Sequence, residues 1–157
     1  MLLAPHALVG AAIAATIPNP ILGLLLAFLS HFLLDRVPHW EYSIEPLKNI
    51  KSKGILYCLP ILRRVFADLF IGGILIIASS AIGGEFSPVT FIGGFFGILP
   101  DGMTALYILR PKNKFLKIFF TLHQGVHFSK EHGRPPLRVG LTWQIVASVL
   151  ALYFLVF

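Results

Sequence analysis

The stretch IPNPILGLLLAFLSHFLLD, residues 17 to 35, decides the architecture of this 157-residue chain. Pro18 and Pro20 interrupt an apolar run that begins at residue 2 and is too long for one simple membrane span. Proline ends one helix or begins the next, because it lacks a backbone N–H and has a fixed φ. We therefore expect two short helices, residues 5–16 and 21–35, in a hairpin or re-entrant arrangement. A single kinked span is the alternative.

The rest of the chain is also unusually apolar. Hydrophobic residues make up 56% of the sequence and charged residues only 13%, whereas a soluble domain has about 25% charged residues. Stretches near the bilayer-spanning length of about 20 residues occupy residues 65–82, 88–109 and 137–157. LPDG, residues 99–102, interrupts the second of them. We predict an all-α polytopic membrane helix bundle of about four or five membrane helices, forming one domain over residues 1–157.

Basic residues are concentrated in two segments. The chain has 13 Lys and Arg against 7 Asp and Glu, and the basic residues lie within residues 36–64 and 110–138. The positive-inside rule predicts a multi-pass protein of the cell's inner membrane with both segments cytoplasmic. Contact with anionic membrane lipids explains this charge, and we expect no nucleic-acid partner. Residues 45–64 are expected to lie on the membrane surface.

The most informative polar residues end the second short helix. His31 and Asp35 are spaced i, i+4, so on a helix they share one face and are close enough to bind one ion. A His–Asp hydrogen bond that neutralises a buried carboxylate is the alternative. His39 follows Pro38, beyond the expected helix end. It is a further ligand, a catalytic base or an interfacial histidine.

Two more carboxylates lie in apolar segments, where a charge costs about 2.5–3.5 kcal/mol on insertion scales. Asp68 follows Arg64 by four residues, and an Arg64–Asp68 ion pair would neutralise it. Asp101 follows Pro100, and we expect it either to cap a half-helix that resumes at residue 103 or to form an ion site at a break in the span.

Further histidines lie at the same depth. His6 begins the first helix, and His123 and His127 are four residues apart beside a basic loop. With the predicted topology all these polar residues fall in the cytoplasmic leaflet, and the opposite leaflet has only Glu85. This one-sided distribution favours a shared site over independent pairs.

Imidazole and carboxylate ligands without thiolate suit a divalent transition metal, zinc above all, with manganese or iron as alternatives. The single cysteine, Cys58, excludes both an intramolecular disulfide and a multi-cysteine site. The number of candidate ligands suits one or two ions, and paired ions commonly hydrolyse phosphoesters. Because the site would lie at headgroup depth, a lipid or lipid-linked phosphate is the expected substrate.

Four short motifs carry a resemblance to a known family. PHALVG (residues 5–10), SHFLLD with the following PHW (30–35 and 38–40), LPDG (99–102) and HQGVH (123–127) resemble motifs of the prokaryotic membrane-bound metal-dependent hydrolases. The resemblance implies metal or catalytic positions at six residues, namely His6, His31, Asp35, Asp101, His123 and His127.

The remaining roles stay open at this point. Asp68 and His39 are our candidates for catalysis, and His132 is a spare candidate for the general base. A metal-ion or proton transporter is the main rival to a hydrolase, and a non-catalytic membrane scaffold is a third interpretation. The sequence does not determine the oligomeric state.

Overall fold

The structure is a computed structural model that describes residues 1–84, 86–128, 133 and 135–157. Glu85 and His132, both named above, lie outside these ranges. Within the described ranges the regular structure is helical, as predicted. The helices are α1 (Leu3–Thr16), α2 (Pro20–Asp35), α3 (Glu45–Lys48), α4 (Ile50–Lys53), α5 (Ile55–Gly83), α6 (Pro88–Leu109), α7 (Lys114–Val126) and α8 (Leu137–Val156).

Three of these helices, α5, α6 and α8, are long and apolar enough to cross a membrane. Their outer faces carry large apolar side chains, such as Phe66 at 67% exposure and Ile145 at 60%. Soluble monomers rarely expose apolar patches on this scale. The chain is therefore a helical membrane protein, and the predicted fold class is confirmed.

The helices α1 and α2 form the hairpin expected from the two prolines. The Asn19 side chain caps α2 by accepting hydrogen bonds from the backbone N–H groups of Ile21 (3.0 Å) and Leu22 (3.2 Å). The two helices pack against each other. The Met1 amino group also lies 3.2 Å from the Asp35 carboxylate at the far end of the hairpin. A single kinked span would have kept these ends apart.

Helix α1 is the centre of the bundle and contacts α2, α5, α6 and α8. It is apolar on all sides, which is typical of a buried helix. Glycines allow it to approach α6 closely. A Cβ atom on Gly10 would lie 2.5 Å from the carbonyl oxygen of Gly93 and 2.9 Å from the Cα atom of Gly97. Backbones in such contact hold the residues of α1 and α6 in a fixed register.

Two helix boundaries differ from the sequence predictions. Residues 55–62, which we expected on the membrane surface, belong to α5, because Gly54 at φ +79° ends α4 and α5 begins directly after it. Helix α6 runs unbroken through LPDG. Pro100 removes one helical hydrogen bond there, but the packing of α6 against α1 holds the helix together. The predicted half-helix beginning after Asp101 is therefore wrong.

The described parts of both basic segments lie at one end of the bundle. The start of α8 meets the segment after α2 at this end, where the Gln144 amide donates to the carbonyl oxygen of Trp40 (3.1 Å). At the opposite end, Thr16, Ser80 and Leu155 line a small cavity. The end that carries the basic segments also holds the candidate site.

Candidate metal centre

Asp35 is the centre of a buried group of histidines. The Nε2 atoms of five histidines lie within 4 Å of its two carboxylate oxygens. The distances to Oδ2 are 2.8 Å for His123, 3.2 Å for His31 and 3.2 Å for His127, and those to Oδ1 are 3.2 Å for His6 and 3.8 Å for His39. Asp101 joins them, with Oδ1 3.6 Å from His123 Nε2. We call these seven residues the histidine–aspartate cluster.

Five parts of the fold supply this cluster. His6 comes from the first turn of α1, and His31 and Asp35 share one face at the end of α2. Asp101 lies on α6, and His123 lies on α7 with His127 directly after it. His39 lies on the segment after α2. The six positions implied by the family motifs, His6, His31, Asp35, Asp101, His123 and His127, thus meet in one place, and His39 joins them.

Backbone carbonyl groups orient two of the imidazoles. His31 Nδ1 lies 2.8 Å from the carbonyl oxygen of Gly97, and His39 Nδ1 lies 2.8 Å from that of Val37. A carbonyl oxygen can only accept, so each Nδ1 must carry the proton and donate it. In the neutral imidazole, each Nε2 then presents a lone pair to the cluster. This arrangement is typical of histidines that bind metals.

The threonine hydroxyl of α6 holds a third imidazole. Thr104 Oγ1 lies 2.7 Å from His123 Nδ1. On the other side of the ring, His123 Nε2 lies 3.0 Å from His31 Nε2 and 2.8 Å from Asp35 Oδ2. Two lone-pair acceptors therefore face His123 Nε2, and one proton on that atom cannot serve both fully. A cation between the three atoms would satisfy them together.

Several buried nitrogen atoms lack a hydrogen-bond partner among the described residues. They are Nδ1 of His6, Nε2 of His39 and Nδ1 of His127, while Nε2 of His6 lies 3.2 Å from Asp35 Oδ1 without the geometry of a hydrogen bond. His6 is fully buried, and its ring stacks on that of His31 with centroids 4.0 Å apart. An unsatisfied buried polar group costs about 1–3 kcal/mol. The donor set therefore fits a bound metal better than it fits a network of side-chain hydrogen bonds.

The ligand atoms form three overlapping groups, each compact enough to hold an ion. One group is His6, His31 and Asp101, the second is His31, Asp35 and His123, and the third is Asp35, His39 and His127. The first and third groups share no residue. The cluster could therefore hold two ions at once, with the second group between them.

Burial favours the neutral, metal-binding form of the two histidines outside the helices. Loss of solvent lowers the pKa of His127 to about 4 and also lowers the pKa of His39. Desolvation penalises the charged imidazolium in both cases. Both rings are therefore neutral at pH 7. The His39 side chain is buried, as a ligand of the cluster would be.

Asp68 lies outside the cluster, contrary to our expectation of a catalytic role. Its carboxylate accepts hydrogen bonds from the backbone N–H groups of Leu3 (2.6 Å) and Ala4 (3.3 Å) and from the Tyr42 hydroxyl (3.4 Å). The first N–H groups of a helix have no partner within the helix. Asp68 therefore anchors the start of α1. Burial, with the adjacent Asp68 carboxylate, raises the pKa of Tyr42.

Sequence reasoning missed Glu41. Its Oε2 lies 3.9 Å from His127 Nδ1 and 4.0 Å from His39 Nε2, and its side chain is partly exposed. Its position two residues after His39 is the only sequence signal that points to it. Thr104 was also missed, and nothing in the sequence distinguishes it from the other threonines.

Comparison of the chain with protein-family models, with curated proteins and with solved structures finds no match. Membership of the family that the motifs resemble therefore stays a prediction.

Proposed function

We propose that this protein is an integral membrane hydrolase that depends on one or two divalent transition-metal ions. The observation that carries the proposal is the convergence of five imidazole Nε2 atoms on the carboxylate of Asp35. Carbonyl groups fix the proton of His31 and His39 on the opposite nitrogen. A purely structural His–Asp pair needs neither five rings nor this choice of tautomer.

Zinc is the metal that we favour, with manganese or iron as alternatives. The cluster offers nitrogen and carboxylate oxygen atoms and no thiolate, which suits these metals. Bound ions would polarise the scissile group and lower the pKa of water. The site geometry supports at most two such ions, held by the two groups that share no residue.

Glu41 is the residue that we propose as proton acceptor. It lies beside His39 and His127 and, unlike the buried ligands, its side chain is about 30% exposed. It also lines the large cavity next to the cluster. A carboxylate at this boundary can take a proton from water and release it to the leaving group. His39, our earlier candidate for this role, fits better as a ligand because its Nε2 faces Asp35.

The inner membrane of a prokaryotic cell, with the cluster at the cytoplasmic leaflet, is the location that we propose. One observation supports it. The described parts of the basic segments lie at the same end of the bundle as the cluster, and loops rich in Lys and Arg are usually cytoplasmic.

A transporter is the less favoured alternative. Transport would need a polar path from the cluster to the small cavity at the other end of the bundle. Between them α1 is packed with buried apolar residues, including Ala7, Leu8 and Ala11. This apolar region would block the passage of an ion in the conformation described.

Metal analysis of the purified protein tests the proposal. We expect about one or two zinc, manganese or iron ions per chain by mass spectrometry, and loss of most of that metal in the double variant His31→Ala, Asp35→Ala. Asp68→Asn changes a carboxylate outside the cluster and should keep its metal. The metal-loaded wild type should also cleave bis(p-nitrophenyl) phosphate, with the activity abolished by a chelator.

Three results would contradict the proposal. A folded protein that binds no transition metal would favour the scaffold interpretation. Metal uptake into proteoliposomes without any ester cleavage would favour transport. Equal metal content in the double variant and the wild type would mean that the cluster is not the binding site.

A further inference from the structure

A cavity of about 790 Å³ begins at the histidine–aspartate cluster and continues between α5 and α6. Asp101, His123 and His127 form the part of its wall that belongs to the cluster. Most of the remaining wall is apolar. The apolar wall comes from α5 through Leu62, Val65 and Leu69, and from α6 through Phe95, Ile98, Leu99, Met103, Leu106, Ile108 and Leu109.

The cavity extends along the helices rather than across them. On α6 its lining residues run from Phe95 to Leu109, fourteen residues or about 21 Å, and Asp101 lies between them, about 9 Å from Phe95. On α5 they reach from Leu62 to Leu69, a length of about 10 Å. This shape suits an extended alkyl chain that lies parallel to the helices with its polar head at the cluster.

The cavity also reaches the surface of the protein that faces lipid. Phe95 is 56% exposed, Leu106 49% and Leu109 43%, although all three line the cavity. Their helix, α6, is one of the three that can cross a membrane. A lipid chain can therefore enter from the bilayer between α5 and α6 without leaving an apolar environment.

The part of the cavity at the cluster would suit an anionic head once metal is bound. Divalent ions there would attract a phosphate, whose negative charge they can neutralise. Lys48 also lines the cavity but is paired with Glu45 at 3.4 Å, and Glu41 and Glu45 line it as well. The preference for an anionic head therefore depends on the metal ions.

We infer that the substrate is a lipid phosphate, bound with its alkyl chain between α5 and α6 and its phosphate at the cluster. This inference rests on the proposed function. In the reaction, the oxygen of a water molecule bonds to phosphorus and the phosphorus–oxygen bond to the lipid alcohol breaks. One proton of the water passes to the released alcohol, and the other stays on the free phosphate.

Chain length is the first test. With detergent-solubilised, metal-loaded protein and substrates below their critical micelle concentrations, octyl phosphate should exceed butyl phosphate in kcat/KM by at least tenfold, because the longer chain buries more apolar surface. Leu69→Trp fills the cavity and should remove most of this preference. Phe70→Trp, on the lipid-facing surface next to it, should keep it.

Photolabelling gives a readout that does not depend on activity. Dodecyl phosphate with a terminal diazirine should label cavity residues of α5 and α6, such as Leu69 and Ile98. Excess hexadecyl phosphate should compete, whereas inorganic phosphate and hexadecyltrimethylammonium should not. Labelling that is spread equally over Phe66, Phe70 and the cavity residues would overturn the inference.

The outcomes separate this inference from the proposed function. If the protein binds metal and cleaves bis(p-nitrophenyl) phosphate but shows no chain-length preference and no cavity labelling, the proposed hydrolase function is supported and the lipid phosphate substrate is contradicted. If the dodecyl phosphate probe labels the cavity but no ester is cleaved, the lipid-binding site is supported and the proposed hydrolase function is contradicted.

Discussion

His31 on α2 donates a hydrogen bond of 2.8 Å from Nδ1 to the carbonyl oxygen of Gly97 on α6. Gly97 lies three residues before Pro100, so this bond joins the end of α2 to α6 just before LPDG. Gly97 also contacts the backbone of His6. A single glycine thus sets the position of two candidate ligands.

Substitution of Gly97 should therefore disturb the site from outside it. A Cβ atom at this position would overlap the carbonyl oxygen of His6. We expect Gly97→Ala to lower the free energy of unfolding by about 1–3 kcal/mol through overpacking and to reduce the bound metal. Gly102→Ala, on the same helix with open space around the new atom, is the control and should match the wild type in both measurements.

Thr104 should tune metal affinity without binding the metal. Its hydroxyl contacts Nδ1 of His123, and loss of such an outer contact typically weakens metal binding 10–100-fold. We expect this loss in Thr104→Val, measured by competition with a chelator of known affinity. Thr90→Val changes an equally buried threonine of α6 at the opposite end. A similar loss in both variants would mean that the effect is not specific to the His123 contact.

Asp68 should matter for stability rather than for chemistry. Asp68→Ala leaves the first N–H groups of α1 without their acceptor, so the free energy of unfolding should fall by about 1–3 kcal/mol. The decrease should be similar with and without metal, because the residue does not touch the cluster. A variant of normal stability that has lost its hydrolytic activity would restore the catalytic role.

Acid should destabilise the metal-free protein. The folded-state pKa of His127 is about 4, below its ordinary value of 6.5, because the ring is buried. The folded protein thus binds fewer protons than the unfolded chain in this range, so the stability from this ring is complete above pH 6.5 and is lost as the pH falls towards 4. We expect a lower unfolding temperature at pH 5 than at pH 7.5, and a smaller difference in His127→Gln. An unchanged difference in that variant would exclude His127 as a source.

Local signals in the sequence were sufficient for the hairpin and for most of the cluster. The prolines at 18 and 20 mark the turn, and the i, i+4 spacing of His31 and Asp35 identifies one face of α2. The one-sided distribution of basic residues also indicated that distant histidines share one end of the bundle. These features depend on neighbours in the chain or on the membrane, both of which can be read from the sequence.

The errors concern residues whose role depends on a partner far along the chain. The sequence suggests an ion pair between Asp68 and its neighbour Arg64, whereas Asp68 binds the start of α1, about 65 positions away. The sequence predicts a break in the helix at Pro100, because proline removes a helical hydrogen bond. The close contact of α6 with α1 nevertheless keeps the helix continuous. The significance of Glu41 comes from its distance to His127, which lies directly after α7 and far along the chain.

The shortness of the hairpin has a consequence for the surrounding bilayer. Helix α2 has 16 residues and is about 24 Å long, whereas the hydrocarbon core measures about 30 Å. Its outer face, with Ile21 and Leu33 strongly exposed, must nevertheless stay in contact with acyl chains. We expect the adjacent leaflets to thin by several ångströms to meet it, so that the protein inserts most favourably into membranes of short-chain or unsaturated lipids.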